Sequence, residues 1–288
     1  MPEQKGKLRP WLYTGPALLI LLFYLVYPTL GTIRLSFLGR RSEEYVGLEN
    51  YRFAVASPPM LESFRNNLLW VIFFTAFTVS LGLVIAVLLD KVKYENLAKS
   101  IIFLPQAISF VGAGVIWKFI YDHRPAVGLL NAVLTGIFPD FSPIGWLVSS
   151  EIATYALIVI GVWMWTGYAM VIFSAAIKDI PAEVEEAARV DGASPWQMFW
   201  RITIPMISTT LAVVVTTLII TVLKVFDLIY VMTGGRYQTN VIANQMYYEL
   251  FINRHNGRAA AIATILLLLI VPIMVVNVRQ FQEQEAER

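Results

Sequence analysis

The chain has 288 residues, of which 57% are hydrophobic and only 15% are charged, whereas an ordinary soluble domain has about 25% charged residues. This composition disfavours a soluble protein. The absence of cysteine excludes a disulfide framework and a cysteine-based metal site. The formal net charge of +2 is too small to indicate a nucleic-acid partner.

Six apolar runs are long enough to cross a bilayer, whose hydrocarbon core of about 30 Å requires about 20 helical residues. In chain order they cover residues 11–33, 67–89, 101–121, 152–177, 202–226 and 259–278. Helices are expected because each backbone amide and carbonyl in lipid must find its partner within its own segment. The first run follows a basic start and lacks a small-residue cleavage site, so we expect it to stay uncleaved. The sequence therefore predicts an all-α polytopic membrane protein with six transmembrane helices in one domain, residues 1–288.

The placement of Lys and Arg predicts the orientation of the spans. The two termini and the loops 90–100 and 178–203 hold 11 cations in 57 residues, whereas the three loops on the other side hold 8 in 91 residues. Because cytoplasmic segments are enriched in Lys and Arg, both termini are expected in the cytoplasm. Arg40 and Arg41 lie on the other side and weaken this bias.

The loop 179–200, between the fourth and fifth runs, has the pattern of two short helices. Pro181 suits a first helical turn, and Gly192 can end the helix because glycine adopts the left-handed conformation without a Cβ clash. Ser194 and Gln197 then have capping-box spacing, with Pro195 in the first helical position between them. The sequence therefore predicts a sharp turn at Gly192.

The same loop carries a motif that resembles a known family. The motif comprises Glu186, Ala187, Ala188, Gly192, Ile202, Ile204 and Pro205. In type and spacing it resembles the EAA loop of permeases in bacterial binding-protein-dependent ABC importers, although that family usually has Leu at the position of Ile204. The resemblance extends along the chain. WLYTGPALLILLFYLVYPT and FLPQAISFVGAGVIWKFIY are similar to the sugar permease branch, and KVFDLIYVMTGG and VIANQMYYELF to permeases for α-glucosides or glucosylglycerol.

The resemblance implies a type I ABC importer transmembrane domain whose loop 179–200 forms a coupling helix on a cytoplasmic ATPase. The residues expected at that contact are Glu185, Glu186, Ala187, Ala188, Asp191, Gly192 and Ala193. It also implies a second homologous permease subunit, two cytoplasmic ATPase subunits and an extracytoplasmic solute-binding protein, all at the bacterial inner membrane. The alternative for the loop is an amphipathic interfacial segment without a docking role.

No cofactor is expected in this chain, because no GxxxxGK[ST] sequence occurs that could hold ATP phosphates. ATP and magnesium are expected in the partner ATPase. No catalytic or metal site is predicted, since no nucleophile has a recognisable base beside it and His123 and His255 lie far apart in outer loops. An intramembrane enzyme is therefore disfavoured. An ion-coupled secondary transporter remains the alternative function, although its spans usually contain ionisable residues that are scarce here.

A sugar path through the bilayer needs hydrogen-bonding groups and a flat apolar surface, because unpaired polar groups are costly there. The candidate lining residues are Gly161, Trp163, Trp165, Tyr168, Thr217, Thr221 and Gln106. Their alternative roles are structural, since threonines bond back to their own helix and glycines permit close helix packing. Lys224 and Asp227 are expected to form a local ion pair rather than to bind a ligand.

Overall fold

A computed structural model describes residues 4–90 and 92–286. It is 75% helical, and within those residues no strand is formed. An isolated antiparallel bridge joins Leu38 to Tyr45. The prediction of an all-α protein is confirmed.

The helical segments follow one another with short connections. In chain order, the α-helices are Gln4–Leu21, Tyr27–Leu35, Glu49–Ala56, Pro58–Leu69, Thr75–Leu89, Glu95–Phe103, Phe110–Ile120, Leu129–Ile137, Ala153–Lys178, Ala182–Val190, Pro195–Met198, Ile204–Met206, Ser208–Leu223, Asp227–Met232, Ile242–Tyr247 and Asn256–Ala286. Single π-helical turns lie at Leu22–Val26, Trp70–Phe74, Phe199–Thr203 and Tyr248–Ile252, and a 3-10 turn at Leu104–Ala107. Several of these segments join end to end into longer helices.

Six elements are long and apolar enough to cross a membrane, if each bent pair counts as one. We number these spans in chain order as first Tyr13–Leu35, second Pro58–Leu89, third Glu95–Ala107 with Phe110–Ile120, fourth Ala153–Lys178, fifth Pro195–Met206 with Ser208–Leu223, and sixth Asn256–Arg279. The number agrees with the six predicted runs. The second span begins nine residues before the predicted start at residue 67, because polar residues precede its apolar part.

The third and fifth spans are bent, whereas the sequence predicted continuous helices over 101–121 and 202–226. The third bends by 100°, because Pro105 has no amide to donate and Ile108 is extended, with ψ 137°. Ser109 then caps a new helix by accepting from the amide of Gly112 at 3.1 Å. The fifth bends by 70° at Ile207, two residues after Pro205.

The chain forms two compact units, and the first comprises Met1–Met60 with Gln245–Leu267. The side chains of its first span are exposed nearly throughout, which is the surface that lipid would cover. Buried Asn50 donates to the carbonyls of Ser36 and Leu38 at 2.9 and 2.7 Å. Arg258 lies over the Phe53 ring, 4.0 Å from its centroid. These contacts hold the end of the first span to the start of the sixth.

The second unit comprises Leu61–Asn244 with Leu268–Arg288 and has the fourth span at its centre. Small residues set its packing distances. A Cβ on Gly82 would lie 2.6 Å from the Ala169 Cβ, so the second and fourth spans are in close contact. The single-domain organisation predicted from the sequence stays a prediction, because compact units need not fold separately.

Candidate functional site

A two-helix elbow follows the fourth span. Its first helix, Ala182–Val190, is followed by its C-cap Asp191 and then by Gly192, which has φ +79°. The amide of Ala193 donates to the carbonyl of Ala188 at 2.9 Å, as in a glycine-terminated helix. The second helix begins at Pro195. The two short helices and the turn at Gly192 that the sequence predicted are confirmed.

A capping box starts the second helix of the elbow. The amide of Gln197 donates to the Ser194 hydroxyl at 3.3 Å, and the amide of Ser194 donates to the Gln197 side chain at 2.8 Å. The capping box predicted from the sequence is therefore confirmed. Because a glycine cap and a capping box are only two residues apart, the angle of the elbow follows from local sequence.

Most of the residues expected to contact an ATPase lie on the exposed surface of the elbow. Glu186, Ala187, Asp191 and Gly192 are exposed, Glu185 and Ala193 are half-buried, and Ala188 is only 9% exposed. Ala188 therefore faces its own chain, whereas Ala187 is exposed. The docking role of these residues stays a prediction.

Large apolar side chains on the elbow are exposed beside these residues. Val190 is 88% exposed and Trp196 70% exposed, and the Trp196 ring lies edge-on to Trp200 at 5.6 Å. Exposed apolar groups of this size are typical of contact surfaces. These side chains were not predicted from the sequence, although tryptophans in this largely polar loop were a visible signal.

A cluster of charged side chains joins the third span to the fourth, next to the elbow. Lys178, the last residue of the fourth span, lies 2.6 Å from the Glu95 carboxylate. Lys99 contacts the same carboxylate and the Ser174 hydroxyl. The charged groups therefore hold the start of the third span to the end of the fourth.

Gly167 strengthens this attachment. A Cβ at this position would lie 2.5 Å from the carbonyl oxygen of Ile102 and 2.7 Å from the Cα of Phe103. The fourth span is thus in backbone contact with the helix Glu95–Phe103. Gly167 therefore serves close helix packing.

A cavity of about 60 Å³, which we call the Trp165 cavity, lies among the second to fifth spans. Its lining comprises Trp70, Phe74, Phe110, Gly161, Trp165, Thr221, Val222, Lys224, Val225, Phe226, Asp227 and Leu228. A Cβ on Gly161 would lie 2.8 Å from the Trp70 ring and 3.2 Å from the Phe74 ring. The glycine therefore lets these two rings reach the fourth span.

The Trp165 cavity lies at the end of the fifth span. The helix Ser208–Leu223 ends, residues 224–226 are not helical, and a new helix begins at Asp227. Asn67 is 3% exposed, and its amide nitrogen lies 3.5 Å from the carbonyls of Val222 and Leu223. The Asn67 side chain therefore lies beside the last carbonyls of the helix Ser208–Leu223, which have no partner within that helix.

The structure brings together three of the seven predicted path residues, Gly161, Trp165 and Thr221. The Thr221 hydroxyl donates to the carbonyl of Thr217 at 2.9 Å, which is its structural role. Trp163 lies edge-on to Trp117 at 5.6 Å and does not line the cavity. The same holds for Tyr168, which is edge-on to Trp165 at 5.5 Å.

Thr217 and Gln106 also lie outside the cavity lining. The Gln106 side-chain oxygen is buried and has no hydrogen-bond partner among the described residues. It lies in the 3-10 turn Leu104–Ala107, at the bend of the third span. A path role for Trp163, Tyr168, Thr217 and Gln106 stays a prediction.

Lys224 and Asp227 do not form the expected ion pair in the part of the chain that the structure describes, and both line the Trp165 cavity. The non-helical residues between them remove the one-turn spacing on which that expectation relied. Trp70, Phe74, Phe110 and Phe226 were not predicted either. A charged pair within an apolar run was the sequence signal for this site.

Comparisons with known proteins agree with the fold. Residues 78–283 match the family described as "Binding-protein-dependent transport system inner membrane component". A chain of a bacterial alginate ABC transporter, solved with a pentasaccharide-bound periplasmic protein, superimposes with a TM-score of 0.83 at 24% identity, over 96% of both chains. At this identity the likeness concerns the fold.

Two curated relatives are similar over nearly the whole chain. The osmoprotective compounds uptake permease protein GgtC of Synechocystis sp. is 59% identical over 96% of this chain and 100% of its own length. The alpha-glucoside transport system permease protein AglF of Rhizobium meliloti is 46% identical over 95% of this chain and 82% of its own length.

Proposed function

The chain belongs to the family of binding-protein-dependent transport system inner membrane components, and on that premise we propose that it carries an α-glucoside or glucosylglycerol. It is a multi-pass permease of the inner membrane, and the two relatives described above are permeases for osmoprotective compounds and for alpha-glucosides. The observation that carries the proposed cargo is the Trp165 cavity, an aromatic site at the end of a spanning helix.

The lining of the Trp165 cavity suits a small saccharide. Trp165 and Phe226 offer flat apolar surfaces to the C–H face of a sugar ring. Lys224 and Asp227 offer a donor and an acceptor for its hydroxyl groups. At about 60 Å³ the cavity is much smaller than a typical small-molecule pocket of about 300–1,000 Å³. Transport therefore requires the cavity to widen, with a second permease subunit as its other wall.

The energy for that movement is proposed to come from two cytoplasmic ATPase subunits that grip the elbow. ATP and magnesium would bind to those subunits, and this chain would need no cofactor. The supporting observations are the exposed Glu186, Ala187 and Asp191 beside a rigid turn. The attachment of Lys178 to Glu95 would then carry a displacement of the elbow into the third and fourth spans.

Both termini and the elbow are proposed to lie in the cytoplasm, on the basis of Lys and Arg density. The natural absence of cysteine allows a direct test, because each single-cysteine variant has no background. Glu183 and Ser142 are both exposed and lie on opposite predicted sides. A membrane-impermeant maleimide should label Ser142→Cys in intact cells and Glu183→Cys only after permeabilisation. Labelling of Glu183→Cys from outside would contradict the topology.

The transport function is tested with the complex of this chain, its partner permease, its ATPase and its binding protein in proteoliposomes. Radiolabelled α-glucoside should enter only when ATP is present on the ATPase side. A complex with an inactivated ATPase nucleotide site is the control and should show no uptake. Uptake driven by a proton or sodium gradient without ATP would overturn the proposal in favour of a secondary transporter.

A further inference from the structure

A larger groove lies at the far end of two helices that also line the Trp165 cavity. Phe110 lines the cavity at one end of the helix Phe110–Ile120, and Lys118 lines the groove at the other. The groove has a volume of about 510 Å³, and we call it the Lys118–Arg236 groove. Its lining is Lys118, Tyr121, Asp122, His123, Gly145, Trp146, Leu147, Val148, Tyr230, Val231, Met232, Thr233, Gly234, Arg236 and Tyr237.

One wall of the groove is held by a buried asparagine. The Asn131 amide nitrogen donates to the carbonyls of Asp122, His123 and Ile144 at 3.0, 3.2 and 2.9 Å. Its side-chain oxygen accepts from the amide of Ile144 at 3.0 Å. The two ends of a long loop are thereby fixed together, so this wall is formed before any partner binds.

The opposite wall is a turn that is equally well fixed. The hydroxyls of Thr233 and Thr239 lie 2.6 Å apart, and Thr239 also donates to the carbonyl of Arg236 at 2.6 Å. The Asn66 amide nitrogen donates to the carbonyls of Gln238 and Asn240 at 2.7 Å each. The backbone that carries Arg236 is therefore held in place, while its side chain is exposed.

The groove has an excess of positive charge. The side chains of Lys118 and Arg236 are exposed and make no hydrogen bond or ion pair with any residue that the structure describes. The carboxylate of the groove, Asp122, accepts from the Arg124 guanidinium at 3.0 and 2.9 Å. These hydrogen bonds lower the pKa of Asp122 to about 2, so it stays ionised and paired. Asp122 therefore leaves Lys118 and Arg236 without a counter-charge.

The groove is mechanically connected to the Trp165 cavity. A Cβ on Gly114 would lie 3.2 Å from Val231 and 3.3 Å from the Met232 sulfur. The helices Phe110–Ile120 and Asp227–Met232 therefore pack closely and are expected to move together. Asp227 lines the cavity and Met232 lines the groove, so a partner in the groove can act on the cavity through this pair.

We propose that the Lys118–Arg236 groove docks a carboxylate-bearing segment of the extracytoplasmic solute-binding protein. The proposal rests on the proposed function and topology, which place the groove outside the membrane on the binding-protein side. A neutral saccharide would leave both cations without a counter-charge, whereas Asp or Glu side chains supply one. The aromatic rings of Tyr230 and Tyr237 would cover the CH₂ groups of the docked Asp or Glu side chains.

The first test measures the affinity of the purified binding protein for the full transporter complex in nanodiscs. The double variant Lys118→Glu with Arg236→Glu should bind about tenfold more weakly at low salt, because two attractions become repulsions. The matched control is Arg65→Glu, an exposed cation that does not line the groove and should bind normally. The difference should shrink from about 0.1 M to about 1 M salt, where the Debye length falls from ~10 to ~3 Å.

The second test is zero-length carbodiimide coupling, which joins an amine only to a carboxylate in direct contact. Mass spectrometry should find Lys118 joined to an Asp or Glu of the binding protein. Lys118→Arg keeps the charge and removes the amine, so it should keep binding and lose the cross-link.

The outcomes separate the docking proposal from the proposed function. Suppose that the complex imports sugar with ATP. The docking proposal is then wrong if the double variant binds the solute-binding protein as tightly as Arg65→Glu does, or if no cross-link to Lys118 forms. In either case the transport function stands. If the intact complex neither binds a solute-binding protein nor imports sugar with ATP, the proposed function itself fails.

Discussion

Replacement of Gly192 tests the elbow most directly, because the structure separates backbone strain from surface contact. At φ +79° the residue is left-handed, a conformation that costs about 1–2 kcal/mol in residues with a Cβ. A Cβ at Gly192 would meet nothing within 4 Å. The strain therefore comes from the backbone alone, and it should rise from Asn, which tolerates this conformation, through Ala to a β-branched Val.

The expected result is a graded loss of coupling in proteoliposomes, measured as sugar imported per ATP hydrolysed. A strain of about 1–2 kcal/mol lowers the population of the capped elbow relative to its frayed forms by about 5- to 30-fold. Gly192→Val should uncouple hydrolysis from uptake while insertion into the membrane stays normal. Hydrogen exchange at the amides of residues 191–193 reports the cap independently. If coupling fails in Gly192→Asn while these amides stay protected, a surface contact of the glycine, rather than strain, is responsible.

Gly136→Ala is the matched control, because Gly136 is helical and a Cβ there would also meet nothing within 4 Å. It should leave coupling unchanged. Wild-type coupling in Gly192→Val would refute the reasoning, since neither the elbow angle nor its outer surface would then matter to the ATPase.

Three other substitutions test the packing and the cavity. Trp165→Ala should slow α-glucoside uptake by about two- to tenfold or change sugar preference, because it removes an aromatic surface. Unchanged uptake kinetics for several sugars would rule out this cavity as the sugar path. Gly167→Ala should lower the free energy of unfolding by about 1–3 kcal/mol through overpacking. In detergent, its melting temperature should be lower than that of Gly136→Ala. Equal melting temperatures for the two variants would contradict the backbone contact at Gly167. Glu95→Gln should lower the melting temperature at low salt, because it removes the ion-pair partner of Lys178. If high salt does not reduce the difference in melting temperature from the wild type, the ion pair is not the cause of that difference.

Local sequence was sufficient wherever the responsible groups are close along the chain. The glycine cap at Gly192 and the capping box of Ser194 with Gln197 follow from residues within one helical turn, and both are present as predicted. The apolar runs likewise identify spans, because the requirement for internal hydrogen bonds in lipid forces helices. The prediction failed at the bends. Pro105 and Pro205 were visible, but whether a proline bends or ends a helix depends on the groups that pack around it.

The lining of the Trp165 cavity was only partly predictable from the sequence. Trp163 and Trp165 are equally plausible in sequence, yet Trp163 packs edge-on against Trp117, and only Trp165 reaches the cavity. Trp70 and Phe74 enter from another span, across Gly161. Such neighbours are set by the rotation of each helix about its axis, which packing against other helices determines.

The sequence by itself determined that the chain is helical and membrane-spanning, that an elbow lies in the loop 179–200 and which family the chain resembles. These properties depend on composition, on hydrogen bonding within segments and on groups a few residues apart. Only the tertiary structure decided that Ala188 faces inward, that Gly167 serves helix contact, and that Lys224 and Asp227 line a cavity instead of pairing with each other. The reason is physical: the partners of a side chain in a helical bundle lie on other helices, and their distances are fixed only when the whole unit packs.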